Sequence, residues 1–517
     1  MTDLPPGWAK PTLGELIAHD GIFTDGDWVE SKDQDPNGSV RLIQLADVGD
    51  SRFLNKSSRF LTRSKAADLN CTFLKKGDLL VARMPDPLGR CCIFPLEGDE
   101  RFVTVVDVCA IRLGSAEIDS RYLMRAINAP MVRARISEFQ SGSTRKRISR
   151  KNLETVPVPI PPLNEQRRIV ERIEAMFDQI DRGVDSLRKA RATLGLYRQS
   201  LLKSAFDGRL TADWRAKNAG NLEPPAALLS RIRKERDTRY KAAFEAWQTA
   251  LADWRATGEK GRKPAKPKRL NSYPDKFVDL QITLPDLPFG WVWAHLGWCS
   301  SGPEYGTAAK SSESGDVPVI RMGNLQRGRI DWENLVYTSD PDEIEQYTLR
   351  AGDVLFNRTN SPELVGKTSL YKGERAALFA GYLVRVNQIE EIASGPYVTY
   401  FLNSPIAREH GKTVKTDGVN QSNINGTKLQ EYPFPFCHPA EQAEIVRALD
   451  ARLEAADVLE AEIDAALTRA EAMRQSILKQ AFTGRLVPQD PTDEPAAILL
   501  ARIKAARTAP RPRRALA

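Results

Sequence analysis

The spacing of apolar residues changes character along this chain. From Val170 the apolar positions recur at alternating steps of three and four: Val170, Ile173, Phe177, Ile180, Val184, Leu187, Leu194, Leu201 and Ala205. A second run follows the same rule with Val446, Leu449, Leu453, Ala456, Ile463, Leu467, Ala470, Ile477 and Ala481. Heptads sustained this far predict a long helix whose seam faces another helix, not one packed only on its own domain. About 42 residues rising ~1.5 Å each span roughly 60 Å, longer than a small domain is wide. Arg191, Arg198, Glu460 and Arg474 interrupt the seam, which costs stability but can fix register. FDGRL and FTGRL put Gly208 and Gly484 where a helix end calls for left-handed backbone.

Elsewhere the period shortens. Apolar and β-branched runs (VRLIQL, DLLVAR and RFVTVVDVCAIRL, then VPVIRM, DVLFNR and GYLVRVNQI) alternate with Gly, Pro, Asp and Asn turns, as strands do. Each set precedes one helical stretch, residues 120–139 and 395–414. The pattern predicts two α+β domains, each a curled, mostly antiparallel sheet with few helices. Between them lies a charged helical extension over 226–256. It leads into a basic linker, KGRKPAKPKR (260–269); linker and C-terminal tail both read as solvated segments.

The two halves are one sequence repeated. QSLLKSAFDGRL (199–210) returns as QSILKQAFTGRL (475–486), an offset of 276 residues. That offset also brings Pro157, Pro159, Glu165 and Gln166 onto Pro433, Pro435, Glu441 and Gln442. With small slips, PPGWAKPTLGEL (5–16) answers PFGWVWAHLGWC (288–299), KKGDLLVAR (75–83) answers RAGDVLFNR (350–358), and EPPAALLSRIR (223–233) answers EPAAILLARIK (494–504). The helices are nearly constant and the sheet regions diverged.

Composition narrows the function classes. The chain has 517 residues, 27% of them charged, and a net charge of +8, a balance compatible with a polyanionic partner. No signal-like leader and no spanning apolar run is visible, and six scattered cysteines form no CxxC pair, so a reduced cytoplasmic protein is expected. No phosphate-cradling GxxxxGK[ST] or GxGxxG loop occurs. The four histidines have no ligand spacing, and GxSxG and the Asn/Asp-Pro-Pro-aromatic string of amino-methyltransferases are missing. Asp27, Glu30 and Lys32 suggest a nuclease cluster only superficially, since they crowd together and recur nowhere in the second half. The chain reads as a binder.

Divergent α/β domains alternate with near-identical helices, the domains closing on PxP…EQ and the helices on Q-S-[IL]-L-K-x-A-F-x-G-R-L. This combination resembles the specificity (S) subunit of Type I restriction–modification enzymes. The resemblance implies two target-recognition domains, each reading half of an asymmetric split DNA site, and two helices paired as an antiparallel coiled coil with pseudo-two-fold symmetry. It implies methyltransferase (M) subunits, two of them, docked on the helices, with restriction/translocase (R) subunits joining through M. Catalysis, adenine N6 methylation and S-adenosylmethionine then belong to the partners, and this chain binds no cofactor or metal and is no enzyme. The expected layout is residues 1–160 as recognition domain 1, 161–212 as central spacer helix, and 213–284 as helical extension and linker. Residues 285–437 follow as recognition domain 2, 438–487 as distal spacer helix and 488–517 as tail. A coiled-coil scaffold with protein-binding variable domains is the alternative.

DNA readout needs cations for phosphates and guanine edges and amides for adenine edges. Candidates in the first domain are Arg83 and the loop residues Ser143, Thr144, Arg145, Lys146 and Arg147. In the second they are Asn324, Gln326, Arg358, Thr359 and Asn360, with Asn420, Gln421, Ser422 and Asn423 at the matching loop.

Overall fold

In a computed structural model of the chain, the two seams are helices Leu163–Phe206 and Pro439–Phe482, each of 44 residues. The structure describes residues 4–508 apart from 85, 86, 99, 143–145, 262, 268, 269, 275, 278, 279 and 420. The chain divides into two units, one of residues 1–189 with 463–517 and one of residues 190–462, so the division falls inside both long helices. Within the second unit the helices run antiparallel: Arg191 faces Glu460 at 3.8 Å, and seven residues on Arg198 meets Asp457 at 2.7 Å.

The seam breakers are ion pairs. Arg198 binds Asp457 and Glu460 in the second unit, and Arg474 binds Asp181 in the first. Arg198 and Asp457 lie one repeat offset from Arg474 and Asp181, so one device is built twice. A charge left unpaired in a seam is costly, whereas a matched one admits only the register that pairs it.

The ends of the seam belong to domain cores. In the first unit Val170, Ile173 and Phe177, with Ile477, Leu478, Ala481 and Phe482 from the other helix, join Tyr122, Leu123 and Val158 in one core. The second unit repeats this with Leu201, Ala205, Phe206, Ile445 and Leu449 around Tyr397, Phe401 and Phe434. The midsection residues Val184, Leu187 and Leu194 are only half-buried.

The motif residues are the joints of this assembly. In the first unit, Trp8 donates its indole N–H to buried Glu165 at 3.1 Å. Gln166 accepts from the Asp119 N–H at 2.9 Å and donates to the Pro161 carbonyl at 2.9 Å. The second unit matches: Trp291 donates to Glu441 at 2.8 Å, and Gln442 accepts from Ser394 at 3.2 Å and donates to Ile392 at 2.8 Å. The prolines take part through their carbonyls, since Tyr122 donates to Pro159 and Tyr397 to Pro435, each at 2.8 Å. Each tyrosine ring also stands edge-on to the phenylalanine of the AFxG motif, Phe482 at 5.5 Å and Phe206 at 5.3 Å. Gly208 and Gly484 have φ of +77° and +70°, and a Cβ on either would strike Pro288 or Pro5 within 2.5 Å, so both glycines are needed for shape and conformation.

The sheets are smaller and more divided than one curled sheet per domain. The first domain has an antiparallel four-stranded sheet in the order Ile22–Asp25, Val108–Arg112, Leu79–Ala82, Cys91–Ile93. A separate three-stranded sheet pairs Val40–Ile43 antiparallel with Arg59–Leu61 and parallel with Phe102–Thr104. The second domain repeats both arrangements: Thr368–Leu370, Val354–Asn357, Leu383–Arg385 and Glu304–Tyr305 in one sheet, Val336–Thr338, Val317–Ile320 and Leu378–Phe379 in the other. The parallel pairs escape sequence patterning because their partners lie far apart in the chain.

Three expectations need correction. Each helical stretch beside the sheets is two helices, Ser120–Asn128 with Pro130–Glu138, and Gly395–Leu402 with Pro405–Val414, because Pro130 and Pro405 supply no N–H and hold the preceding residue extended. The tail contains a docked helix, Ala496–Thr508, which buries Ala496, Leu499 and Ile503 and donates from the Ala496 N–H to the Gly7 carbonyl at 2.8 Å. Its counterpart opens the helix Pro225–Ala256 with buried Leu228 and Ile232. The basic linker is not free either. Trp254 and Trp247 donate to Gly261 and Pro264 at 3.1 Å, and Lys263 and Lys266 lie over the Trp254, Phe244 and Trp247 rings at 5.5–5.8 Å.

The two joints differ electrostatically. Glu441 also receives Arg215 at 2.7 Å and the Thr211 hydroxyl at 2.8 Å, whereas burial, with one indole N–H opposing it, raises the Glu165 carboxyl above its ordinary range. Glu441→Gln should therefore destabilise the chain by about 2 kcal/mol in thermal unfolding, since it leaves a buried guanidinium without its counter-charge. Glu165→Gln should cost less at neutral pH. A folded-state pKa raised above the unfolded one favours the protonated carboxyl, so ionisation is what weakens this joint, and wild type should gain on Glu165→Gln as pH falls through that raised pKa.

Candidate nucleic-acid interface

Several of the diverged candidate residues lie at the end of one central strand in each domain, and the backbone at this edge of the sheet is built alike twice. In the first domain the strand Leu79–Ala82 ends at Arg83, whose N–H donates to the Asp107 carbonyl at 2.9 Å and whose carbonyl accepts from Ile148 at 3.1 Å. In the second, Arg358 follows Val354–Asn357; its N–H donates to Tyr382 at 3.1 Å and its carbonyl accepts from Ile424 at 2.9 Å. Three segments therefore converge: a strand exit, the turn before the last strand, and the loop leading into the short helix that precedes each spacer helix.

On this common backbone the side chains diverge. Arg83 is buried and ion-paired with Asp25, and burial pulls its pKa below the usual arginine value. Its guanidinium braces the edge. Beyond it Ser141 and Arg147 exchange reciprocal backbone hydrogen bonds at 2.8 and 3.0 Å, and Lys146 and Arg147 are exposed. Ser143, Thr144 and Arg145 lie outside the described residues.

The second edge is an amide-lined ribbon. Thr359–Asn360 pairs antiparallel with Ser422–Asn423, which pairs with Thr416–Asp417. Asn423 donates to the Thr359 hydroxyl at 2.8 Å, and Gln421 is exposed beside the fully exposed Val419. Arg358 lays its guanidinium 4.8 Å over the Tyr305 ring. Tyr305 occupies the strand position that Asp25 holds in the first domain. Buried Ser422 donates its hydroxyl to Asp417, and Lys415 pairs with the same carboxylate at 2.7 Å, so Ser422 is a structural member of the ribbon. Asn420 lies outside the described residues.

Two candidates sit elsewhere. Asn324 is 4% exposed, and its amide is fully engaged, accepting from Arg321 at 3.0 Å and donating to the Asp331 and Glu333 carbonyls at 3.0 and 2.9 Å. It caps a turn just as buried Asp47 does in the first domain, accepting from Gln44 and Lys56 at 2.8 and 2.6 Å. An amide so engaged is not free to read a base. Gln326 is exposed but donates to Gly323 at 2.9 Å and meets Lys367 at 3.4 Å.

Sequence reasoning missed Trp28. The Asp27 N–H donates to Thr104 at 2.7 Å and its carbonyl accepts from Val106 at 3.1 Å, which fixes the 71% exposed Trp28 beside the Asp107 turn. A cavity of about 570 Å³ opens there, lined by Trp28, Gln34, Gln44, Arg59 and Asp107. Burial drives the Asp27 carboxyl up to about 6 against hydrogen bonding from Thr72, while Glu30 pairs outward with Lys32 at 2.7 Å. These acids do not converge on a common point. Among the described residues no group of three His, Cys, Asp or Glu side chains could hold a metal, and no helix is long and apolar enough to cross a membrane.

Residues 5–184 and 300–469 each match the Type I restriction modification DNA specificity domain. The chain belongs to this family. It is 25% identical to the specificity subunit of the Type I restriction enzyme EcoKI from Escherichia coli (strain K12), over 78% of this chain and 75% of that protein. With the StySPI specificity subunit of Salmonella potsdam it shares 24% identity over 75% of this chain and 72% of the relative. A solved structure described as "Structural basis underlying complex assembly and conformational transition of the type I R-M system" shares the fold, with a TM-score of 0.62 at 18% identity over 94% of this chain and all of the other. Specificity subunits are non-catalytic members of their complexes, and DNA sequence recognition is the family's role.

The exposed and the buried basic residues of the first domain separate by experiment. Alanine at Lys146 and Arg147 should weaken DNA binding and flatten its dependence on salt, the log–log slope falling by about 0.9 for each phosphate left unneutralised. Arg83→Ala should instead lower the melting temperature by leaving Asp25 without its counter-charge; titrating binding against salt beside a thermal melt tells the two apart.

Proposed function

We propose that this chain is the sequence-reading subunit of a Type I restriction–modification complex, in which each recognition domain reads one half of an asymmetric, split DNA site. The observation that carries this reading is the sheet edge built twice on the same backbone hydrogen bonds, with exposed Lys146 and Arg147 in one copy and an amide ribbon in the other. Equivalent frames with unlike side chains suit two unlike half-sites. Lys146 and Arg147, with Ser143, Thr144 and Arg145 of the same loop, supply phosphate and guanine contacts in the first domain. Gln421, Asn423, Asn360, Thr359 and Arg358, with Asn420, favour adenine edges and phosphates in the second.

The long helices serve as the spacer and as the docking surface for two methyltransferase subunits. Exposed Leu196 and Tyr197 on one helix and Val458, Leu459 and Met473 on the other are apolar side chains that such a partner would cover. The partners carry S-adenosylmethionine and methylate adenine N6, the restriction/translocase subunits join through them, and the complex works in the cytoplasm on duplex DNA. The chain itself binds no cofactor.

Mapping adenine methylation across the source genome with and without this gene tests the reading. Deletion should erase modification at one split motif, and exchange of the first domain for a relative's should change bases at one end of that motif only. Loss of no motif would favour a protein-binding scaffold, and a change at both ends would refute independent half-site readers.

A further inference from the structure

In the second unit a single carboxylate ties three elements together. The strands Leu325–Gln326 and Arg329–Ile330 form a hairpin that turns at Arg327 and Gly328, with φ of +51° and +82°. At its tip the Arg327 guanidinium meets Glu460 of the distal helix through both amino groups, at 2.6 and 2.8 Å. Arg198 of the central helix reaches the same carboxylate at 3.0 Å and Arg191 at 3.8 Å, while Arg329 of the hairpin reaches Asp457, one turn away, at 3.3 Å. The Glu460 side chain is only 13% exposed, and the hydrogen bond from Arg327 holds its carboxyl below the ordinary range. A two-pronged guanidinium–carboxylate pair fixes orientation as well as distance.

The first unit keeps the underlying pair and lacks the clasp. Asp181 and Arg474 repeat Asp457 and Arg198. At the repeat offset, however, Glu460 becomes Val184, and at the local offset of 277 set by the matching turns Leu45–Asp47 and Met322–Asn324 the tip position of Arg327 falls on Asp50, whose carboxylate turns to Arg133 at 3.0 Å. Both partners of the ion pair are present in one copy and both are missing from the other. Where the clasp would stand, the first unit has a cavity of about 1080 Å³ lined by Asp50, Arg52, Phe177, Asp181, Val184 and Arg474.

We propose that Arg327 and Glu460 are positioning residues for DNA recognition, an ionic latch that fixes the second recognition domain on its own stretch of the two helices, and that the first domain works without one. The proposal rests on the reading of the domains as DNA readers. A latched reader should tolerate little change in the distance to the other half-site, since one inserted base pair shifts a half-site by ~3.4 Å and turns it by roughly 34°.

The test uses the full chain assembled with its cognate methyltransferase subunits, acting on DNA with the cognate spacer and on DNA with one more base pair. Arg327→Asn suits the left-handed turn but removes the cation; Glu460→Gln removes the anion; Arg327→Lys keeps a charge in reach. The first two should raise methylation of the longer-spaced site relative to the cognate site by about fivefold, the loss expected of one partly buried pair, and Arg327→Lys should stay near wild type. An unchanged ratio, or an equal fall on both DNAs, would overturn the latch, because simple destabilisation lowers both alike. If the wild-type complex modifies no split site, the DNA-reading assignment itself fails, a result distinct from an unchanged ratio.

Discussion

Everything in this fold hangs from the start of each long helix, where a buried glutamate and glutamine hold a domain in place. The glutamate accepts an indole N–H from the segment that opens the domain, and the glutamine bridges the chain ahead of the helix to the first turn of a domain helix. Both side chains are almost fully buried, so losing a hydrogen bond there is costly, and the bonds they make favour one arrangement. The tyrosine that donates to the Pro-x-Pro carbonyl then rests on the phenylalanine ending the other long helix. Each joint thus combines the beginning of one helix with the end of the other.

That arrangement explains why one part of the repeat stays constant while another drifts. The Trp, Pro-x-Pro, Glu-Gln and Ala-Phe-x-Gly residues are parts of one buried joint, and a change in one strands the others. The sheet edges answer to no such demand. Their backbone frame is kept by main-chain hydrogen bonds at Arg83 and Arg358, which are indifferent to side chain, so basic residues and an amide ribbon can occupy equivalent places. Constancy at the buried joints and freedom at the strand ends follow from where burial falls.

Periodicity and the repeat were legible because they rest on local spacing. The seam residues, the helix-ending glycines and the unlike loops after 141 and 417 could be read from residue order, and the structure places a left-handed glycine at each predicted helix end. Side-chain roles were not legible. Arg83 and Asn324 look like base readers as residue types, yet one is engaged by Asp25 and the other by three backbone groups. Trp28 carries no motif, and its exposure comes from the pairing of Asp27 with residues 104–106, far away in sequence.

From the order of its residues alone, this protein was bound to be two copies of one plan, with stiff helices between diverged α+β domains, because helical and extended chains each repeat apolar residues at their own step. What only folding in three dimensions decided is which polar side chains remain available. Whether an arginine faces solvent or a neighbouring carboxylate depends on contacts between residues up to hundreds of positions apart, such as Arg474 with Asp181, and no local pattern encodes them. The same holds for Arg327 and Glu460: the heptad marks Glu460 as a break in the seam, but residue order does not name its partner, which the hairpin and the helix bring within 2.6 Å.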